Sequence, residues 1–428
     1  MKNVPSSPSV DYDLVIVGGG MVGSMLAAAL AQDNSLRIAM LESHEPAAFL
    51  PGSTPPYDIR VSALSVATQQ MFENVGAWQG VLDRRACPYR EMLVWDSEES
   101  GRTHFRSQDI GAPELGHIVE NRVIQLALLD QVKRASNIDY LNPATLESYD
   151  RQPSKTICSV RIKASKNADP SDKQSVEHLS TRLLVGADGA QSTLRGLAAI
   201  EVERSSYPQH ALVATVETES PQQQITWQRF VPSGPEAMLP LCGSQASLVW
   251  YHSEEEVQRL RALSDERFIT ELLSAFPDQL GGVKRLIERG SFPIAKAHAL
   301  RYISDRVALI GDAAHTVHPL AGQGVNLGML DAAALAEVII DAARKGQDIG
   351  SQRVLRRYER WRKGENAMMI NVLDGFYHAF KPQAEPVRKL RSAALNLADT
   401  VVPLKHLVMR YAMGTVGELP VLAKPKLR

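Results

Sequence analysis

The hydrophobic positions at the start of the chain predict a strand, a glycine turn and a helix in direct succession. Residues 13–17 are apolar after the first position and rich in β-branched side chains, which is typical of a buried strand. They lead through the turn at 18–23 into an alanine- and leucine-rich stretch at 24–32, which predicts a helix, and residues 36–41 predict a second strand. A strand, a helix and a strand in this order predict a parallel sheet.

Two apolar runs of the same kind lie far downstream. Residues 182–189 and 306–312 each contain a short apolar stretch followed by glycine and aspartate. We therefore expect distant segments to complete the parallel sheet, so that the first domain is discontinuous in sequence.

The pattern between these runs is different. Short stretches of strand-like residues, separated by proline, glycine and serine, lie at 91–106, 211–217, 226–231 and 246–251. They predict an antiparallel sheet that forms a second domain. The aromatic residues of this sheet, Trp227, Phe230, Trp250 and Tyr251, fit a packed core better than a substrate wall. From residue 354 onward the pattern is helical.

Composition narrows the class of protein. The chain has 428 residues, of which 44% are hydrophobic and 22% charged, as in a globular protein of two to three domains. A net charge of -1 argues against a nucleic-acid binder that works by bulk charge. The three cysteines have no disulfide or metal spacing, and no apolar stretch reaches the roughly 20 residues of a membrane span. We expect a cytoplasmic protein, at most peripheral to the inner membrane.

The glycine turn after the first strand has the spacing of a dinucleotide-binding fingerprint. Gly18 allows the tight turn, Gly20 lets the backbone approach a pyrophosphate, and Gly23 lets helix and strand pack closely. The start of the helix adds unpaired N–H groups for the phosphates. Glu42, at the end of the second strand, can accept hydrogen bonds from a ribose, and an acid there favours FAD or NAD over NADP.

A second glycine-rich segment follows the last predicted strand. Asp312 at the strand end can bind a polyol hydroxyl. The turn that follows contains Pro319, Gly322, Gln323, Gly324 and Asn326, and its glycines would let backbone come close to a flat ring. The helix that starts near Gly324 offers positive potential to a ring that becomes anionic when reduced. His315 and His318 lack a carboxylate or cysteine at ligand spacing, so no metal site is predicted.

Three of these elements together resemble a known family. They are the glycine turn at 18–23, Asp188-Gly189 and Gly311-Asp312. In this order they resemble the signature of the class A flavin monooxygenases, which share the fold of para-hydroxybenzoate hydroxylase. A finer resemblance, to the ubiquinone-biosynthesis hydroxylases, is carried by residues 60–64, 116–121, 207–211, 239–241, 312–328 and 355–362. It extends over about 11–413, and within the family the chain looks most like the bacterial 2-polyprenylphenol hydroxylases.

The resemblance implies an α/β fold with three parts. We expect a discontinuous, Rossmann-like FAD-binding domain built from 11–80, 115–200 and 295–350. We expect a substrate domain from 81–114 and 201–294, and a helical region from 351–428 that contacts a membrane or partner proteins.

The resemblance also assigns cofactor contacts. Gly18, Gly20, Gly23 and Glu42 would hold the adenosine half of FAD. Arg60 and Asn121 would lie along the pyrophosphate and ribityl chain, Asp188 would contribute to dinucleotide binding with Arg195 as a helper, and Asp312 would bind ribitol. The segment from Pro319 to Gly324 would line the flavin ring.

The implied chemistry is hydroxylation of a phenol ring. FAD would be reduced by NAD(P)H or another electron donor and would react with dioxygen to give a flavin hydroperoxide, which transfers one oxygen atom. A hydrogen-bond acceptor beside the phenol would assist. The candidates for this catalytic role are His315, His318 and Tyr207, each of which also fits a structural role.

The implied substrate is a prenylated phenol, hydroxylated at the ring position called C5 in ubiquinone numbering. Such a molecule resides in a bilayer, and the C-terminal region offers a route to it. From residue 381 the chain has nine Lys or Arg and three Asp or Glu, and apolar residues recur at helical spacing around Pro403. A basic amphipathic helix can lie on an anionic membrane, dock on other quinone-biosynthesis proteins, or pack on its own domain. We also expect a homo-oligomer.

The sequence is also compatible with other functions. One is a sister hydroxylase for another ring position, and another is a class A monooxygenase of a soluble aromatic substrate. A flavin halogenase is disfavoured because the W-x-W-x-I-P signature is absent. A flavin-binding scaffold of a quinone-synthesis complex would not require the ring-side loop at 319–324.

Overall fold

The computed structural model describes residues 10–50, 52–96, 101–162, 175–318, 322–380 and 385–425. Its strands are, in chain order, β1 Tyr12–Val17, β2 Ile38–Leu41, β3 Val61–Ser65, β4 Cys87–Tyr89, β5 Glu91–Asp96, β6 Arg102–Arg106, β7 Gly116–Glu120, β8 Ile138–Leu141, β9 Ala144–Arg151, β10 Thr156–Ile162, β11 Ser175–Gly186, β12 Val202–Thr218, β13 Ile225–Val231, β14 Gly234–Leu241, β15 Gln245–His252, β16 Val283–Ala299, β17 Ile303–Ser304, β18 Val307–Leu309 and β19 His315–Thr316. Its α-helices are α1 Met21–Leu30, α2 Val66–Asn74, α3 Trp78–Leu82, α4 Asn121–Arg134, α5 Thr193–Leu197, α6 Glu254–Ala262, α7 Asp265–Ala275, α8 Gln323–Arg344, α9 Gln352–Ala379, α10 Glu385–Thr400 and α11 Val402–Ala412.

The first strand lies inside an eight-stranded sheet with the order β17-β18-β11-β1-β2-β8, which β9 and β10 extend from β11. β2 and β11 pair with β1 in parallel, and β18 pairs with β11 in parallel. The predicted parallel sheet, completed by distant segments, is confirmed. The pairs of β10 with β9 and β11, and of β17 with β18, are antiparallel, so the whole sheet is mixed. The central strands β2 and β18 are buried on both faces, so helices must cover them, and α1, α4 and α8 share the largest apolar core with the sheet.

The first helix begins earlier than predicted. It starts at Met21, three residues before the expected start at 24, and Gly20 caps it in an extended conformation. Gly23 therefore lies in the first turn of the helix rather than ahead of it. A Cβ atom at 23 would overlap the carbonyl oxygen of Gly18, so the absence of a side chain lets the turn close onto β1.

The second sheet has the order β19-β16-β12-β15-β14-β13-β5-β6. Its neighbouring strands are antiparallel, as predicted, apart from β13 and β5, which run parallel. β5 comes from a much earlier segment than β13, so no hairpin joins the two strands. Trp227 and Trp250 pack around Phe276 in the core of this sheet. The expectation of a plain core holds for Trp250, but Trp227, Phe230 and Tyr251 also line a cavity on the inner face of the sheet.

A small third sheet, β3-β7-β4, was not anticipated from the hydrophobic pattern. It joins segments that we expected to belong to different domains, since β4 falls in 81–114 while β3 and β7 fall in the FAD-binding segments. β19, which falls in 295–350, likewise pairs with β16 of the second sheet. Strands from the segments expected to form the two domains are therefore hydrogen-bonded to each other at both places.

The C-terminal region is helical from residue 352, and Pro403 lies in the first turn of α11, where the predicted break between two helices occurs. Residues after α11 return to the FAD-binding part of the fold, where the Asn74 side-chain amide donates to the carbonyl oxygens of Leu422 and Lys424. Within the described ranges, no helix is both long enough and apolar enough to cross a bilayer.

Candidate functional site

The three glycines of the loop between β1 and α1 have different surroundings. A side chain at Gly20 would enter empty space, whereas a side chain at Gly18 or Gly23 would overlap neighbouring backbone. Gly18 has a φ of 104°, and a Cβ atom there would overlap the backbone of Ala187. At Gly20 a Cβ atom would meet no protein atom within 4 Å, so the empty volume lies at the middle glycine. This is the arrangement that a pyrophosphate requires at the start of a helix.

Polar side chains hold this loop in place. The Glu42 carboxylate accepts the Gly19 N–H at 2.8 Å. Ser24 and Gln125 both donate to the Gly19 carbonyl oxygen, at 2.9 Å each. Glu42 thus lies against the loop at the end of β2, where one of its oxygens can also face a ribose.

The second glycine segment is anchored by Asn326. Its Oδ1 accepts the Ser65 N–H at 3.0 Å and the Thr68 hydroxyl at 2.7 Å, and its Nδ2 donates to the Ala63 carbonyl oxygen at 2.9 Å. Gly322 has a φ of 62° and caps α8 without a side chain of its own, and among the described residues no side chain is recorded as capping this end. The N–H groups of the first turn are therefore available to an anionic partner.

Asp312 and Asp188 lie at two strand ends near this loop. Asp312 is exposed on the cavity wall, and the protein packed around its carboxyl raises its pKa, against the opposing effects of His315 and Arg60. Asp188 accepts the Leu194 N–H at 3.1 Å and so caps α5. Arg195 donates to the carbonyl oxygens of Ala313 and Ala190, which makes it a buried link between the two loops.

One cavity of about 1750 Å³ collects most of the predicted cofactor residues. Those that line it are Gly18, Gly20, Glu42, Arg60, Asn121, Asp188, Asp312, Gly322 and Gly324. Gly23 and Asn326 lie behind the lining, where they position backbone, and Pro319 lies outside the described residues, as does the side chain of Gln323. The empty space at Gly20, the uncapped α8 and an acid at each end fit a flavin dinucleotide that spans the two loops.

His318 and Tyr207, two candidates for the catalytic acceptor, lie behind the cavity wall. Their rings pack edge to face at 4.8 Å, and Tyr377 of α9 lies against both. Burial lowers the pKa of His318 to about 4, so its ring is neutral and a weak base at physiological pH. The Tyr207 hydroxyl donates to Asp374 at 2.7 Å, and burial raises its pKa well above the usual range. Both side chains thus join α9 to the second sheet.

His315, the third candidate, belongs to a buried charge network. Its Nε2 hydrogen-bonds Asp331 at 2.5 Å, and Asp331 also accepts from Arg362 at 2.8 Å and Asn366 at 2.9 Å. The Asp331 carboxylate further accepts the Gly311 N–H at 3.2 Å, which fixes the turn before Asp312. Although burial opposes ionisation, His315 and Arg362 hold the pKa of Asp331 at about 2. Since a carboxylate only accepts, His315 donates its Nε2 proton here.

Beyond the cofactor residues the same cavity continues as an apolar arm. Its walls are the inner face of the second sheet and the helices α9, α10 and α11. Phe230 of β13 stacks on Phe380 at the end of α9, with ring centroids 3.7 Å apart. Ligand pockets usually measure about 300–1000 Å³, so the volume leaves room for a second ligand beside a dinucleotide.

The apolar arm opens to solvent between two helices. Three residues four apart on α9, Met368, Val372 and Phe376, line the cavity and are 45–47% exposed. Leu407, Val408 and Tyr411 of α11 also line the cavity and are 38–48% exposed. These six residues define what we call the apolar mouth.

Sequence reasoning missed Asp331 and the apolar mouth. An aspartate inside the apolar stretch of α8 is a signal for a buried ion pair, but its partners on α9 lie 31 and 35 residues away. The mouth had no comparable signal, because an apolar stripe on a helix more often predicts a covered face.

Comparisons with known proteins show the family and the fold. Residues 11–370 match the family described as "FAD binding domain". The chain is 36% identical over 402 residues to the 3-demethoxyubiquinol 3-hydroxylase of Escherichia coli, covering 94% of this chain and 98% of that protein. It is 33% identical to the mitochondrial ubiquinone biosynthesis monooxygenase COQ6 of Drosophila melanogaster, covering 96% and 92%. The crystal structure of p-nitrophenol 4-monooxygenase PnpA from Pseudomonas putida has a TM-score of 0.74 at 18% identity, covering 95% of this chain and 99% of that one, and shares the fold.

Proposed function

Because the chain belongs to the FAD-dependent monooxygenases of the ubiquinone-biosynthesis hydroxylase family, we propose that it hydroxylates the aromatic ring of a polyprenylphenol, with C5 as the first candidate position. The head of the substrate lies beside the flavin loop, and its prenyl tail lies in the apolar arm.

The observation that carries this proposal is the continuity of the cofactor cavity with the apolar arm and its apolar mouth. A soluble aromatic substrate needs only a closed pocket beside the flavin. A prenyl chain is apolar along its whole length, so it gains free energy from an apolar channel that leads out of the protein. Exposed apolar residues at a channel end are otherwise unfavourable, which supports a lipid-like ligand there.

The protein contributes position, dryness and electrostatics to the reaction. FAD, when bound, supplies oxygen activation with electrons from NAD(P)H or another donor. The first turn of α8, with Gly322 and Gly324, presents N–H groups to the ring side of the site. Asp312 would hold the polyol chain, and the apolar inner face of the second sheet would exclude water. His318 and Tyr207 support this wall from behind.

A second candidate is hydroxylation at another ring position. It is favoured by the similarity to the 3-demethoxyubiquinol 3-hydroxylase, whose name gives a different position and a more advanced substrate. A scaffold without activity is disfavoured because the ring-side turn at Gly322 is retained with its anchor Asn326.

Deletion of the gene followed by mass spectrometry of accumulated quinone precursors tests the proposal. We expect the unhydroxylated polyprenylphenol to accumulate and a wild-type copy to remove it. A copy with Gly20→Ala, which folds but obstructs the pyrophosphate, should leave the precursor in place. Accumulation of 3-demethoxyubiquinol instead would support the second candidate, and an unchanged quinone pool would contradict both.

We further propose that the C-terminal region meets an anionic membrane. The support is its excess of basic residues and the exposed Leu397, Val401 and Val402 near the mouth. The full chain should sediment with vesicles that contain anionic lipid and much less with neutral ones. Serine at Arg388, Lys389 and Arg391 should weaken this binding without loss of FAD. If the full chain sedimented with neither kind of vesicle, assembly with other quinone-biosynthesis proteins, or with a second copy, would be the better proposal.

A further inference from the structure

Two of the three cysteines, distant in sequence, lie together where the third sheet meets the second. Cys87 begins β4, and Cys242 directly follows β14. The Cys242 Sγ is 3.4 Å from the carbonyl oxygen of Ala86, the residue before Cys87. Both side chains pack in one apolar cluster with Tyr57, and their thiols are hydrogen-bond partners.

The surroundings of Cys242 favour its thiolate. The Tyr57 hydroxyl oxygen accepts the Cys242 N–H at 2.8 Å, which leaves the Tyr57 proton to be donated to the sulfur. The Arg85 guanidinium lies over the Tyr57 ring at 3.5 Å. The hydrogen bond from Cys87, followed by that from Tyr57 and the charge of Arg85, lowers the pKa of Cys242 to about 6 against the effects of burial and of Glu120.

The other two thiols differ from Cys242. The same hydrogen bond and burial raise the pKa of Cys87, so it remains a protonated neighbour of the Cys242 sulfur. Cys158 is fully buried in β10, and burial raises its pKa to about 12. Cys242 is therefore the thiol that we expect to be nucleophilic, Cys87 lies beside it, and Cys158 serves as an internal control.

We propose that Cys242 and Cys87 form a peroxide-sensitive dithiol that closes to a disulfide between the two sheets. The Cys242 thiolate attacks one oxygen of hydrogen peroxide, an S–O bond forms as the O–O bond breaks, and the departing hydroxide is protonated to water. The Cys87 sulfur then attacks the sulfenic sulfur and loses its proton, and the S–O bond breaks to release a second water. The two thiols lose two electrons in total, and the peroxide gains them.

A disulfide between Cys87 and Cys242 would lie next to two strands that line the cavity. β4 pairs with β7, which pairs with β3, and Val61 and Ala63 of β3 line the cavity. Ala237 and Leu239 of β14 line it from the other side. The disulfide would covalently connect two walls of the cavity in response to peroxide, the by-product of flavin oxygen chemistry that transfers no oxygen to substrate.

Peptide mapping of the full chain with bound FAD tests this inference. The protein is treated with hydrogen peroxide at pH 7, blocked with iodoacetamide and digested without reduction. We expect one peptide pair joined through Cys87 and Cys242, lighter by two hydrogen atoms, with Cys158 alkylated. Cys87→Ser should trap Cys242 as a dimedone-reactive sulfenic acid, and Cys242→Ser should leave Cys87 reduced. A Cys242 that is oxidised in the wild-type protein without any link to Cys87 would overturn the proposal.

Alkylation rates give a second test that needs no variant. In the native protein Cys242 should react with iodoacetamide at least about tenfold faster than Cys158, with a midpoint near pH 6. Unfolding in urea should bring the three thiols to one rate, with a midpoint of about 8.5. Equal native rates for Cys242 and Cys158 would contradict the proposal. Neither test uses a phenol substrate, so both results are independent of the proposed function.

Discussion

At the scale of single residues, the three glycines of the first loop have separable roles. Gly18 and Gly23 are required by the fold, because a side chain at either would overlap backbone. Gly20 is required by the ligand, because a side chain there would point into open space. The sequence spacing predicts all three positions. Only the structure shows at which of them a side chain would disturb the fold and at which it would obstruct the ligand.

Alanine at Gly20 and at Gly23 should therefore fail in different ways. Gly20→Ala should unfold at nearly the wild-type temperature as apoprotein but bind FAD at least about tenfold more weakly, because its methyl group occupies the pyrophosphate space. Gly23→Ala should lower the melting temperature of the apoprotein itself. Thermal unfolding and quenching of FAD fluorescence measure the two effects, and equal loss of stability in both variants would contradict this division.

The Asp331 network should make stability sensitive to acid. The folded pKa of Asp331, about 2, lies below its unfolded value, so its contribution is complete above about pH 4 and is lost as pH falls toward 2. Asp331→Asn leaves the buried Arg362 without its charge partner and weakens the hydrogen bond from His315, and it should cost about 3–5 kcal/mol at pH 7. Urea unfolding between pH 2 and 7 should show a shallower acid limb for this variant.

A matched control for that variant is Asp341→Asn on the same helix. Asp341 pairs with Lys345 and Arg357 at the exposed end of α8, where its loss should cost no more than about 1 kcal/mol. If the two variants were equally stable, the buried network would not have the role that its contacts indicate.

At the scale of elements, the parallel strands and the start of α8 could be predicted because each depends on a local pattern. The apolar run at 13–17 and the glycines that follow it determine one strand and one turn without distant partners. The pairing of β13 with β5 and the small β3-β7-β4 sheet could not be predicted, since pairing between distant strands leaves no periodic signal. For the same reason, the sequence could not predict that Cys87 lies beside Cys242.

The same limit applies to α9. Its apolar stripe predicts a face that packs, and the structure shows that part of this face instead lines a channel. Tyr207 and His318 were selected by sequence for catalysis, and the structure places them where α9 meets the second sheet. Residue type alone does not distinguish a histidine in a cavity from one behind its wall.

A charge in the apolar mouth should discriminate between substrates by tail length. Val372→Glu should raise KM for a long prenylated phenol about tenfold or more, because burial of a valine side chain is worth about 1.5–3 kcal/mol. KM for a short-chain analogue should not change. The control is Asn371→Glu, because Asn371 is exposed on α9 next to Val372 and does not line the cavity. If both substitutions changed KM equally, the prenyl tail would not leave through the apolar mouth.

At the scale of the whole molecule, the C-terminal segment supports the FAD-binding part of the fold. Besides its bonds to Asn74, it accepts the Trp361 indole N–H at the Glu418 carbonyl oxygen and donates the Val421 N–H to Glu337. Removal of everything after residue 386 would take away one wall of the cavity together with these contacts. A smaller truncation is the more informative experiment.

Deletion of 415–428 should destabilise the protein while a shorter deletion should not. It removes the partners of Asn74, Trp361 and Glu337, each worth about 0.5–1.5 kcal/mol. Deletion of 426–428, which lie outside the described residues, should leave the melting temperature unchanged. A segment that could be removed without loss of stability would instead act only as an external attachment.

The discontinuous parallel sheet affects how the protein folds while it is being synthesised on the ribosome. β1 pairs with β2 early, but its other neighbour, β11, and the strand beyond it, β18, are synthesised much later. At about 5–20 residues per second, the nascent chain waits many seconds with the edge of β1 unpaired. Such an edge is a template for wrong pairing, so this protein should depend on chaperones during translation more than a domain that is continuous in sequence.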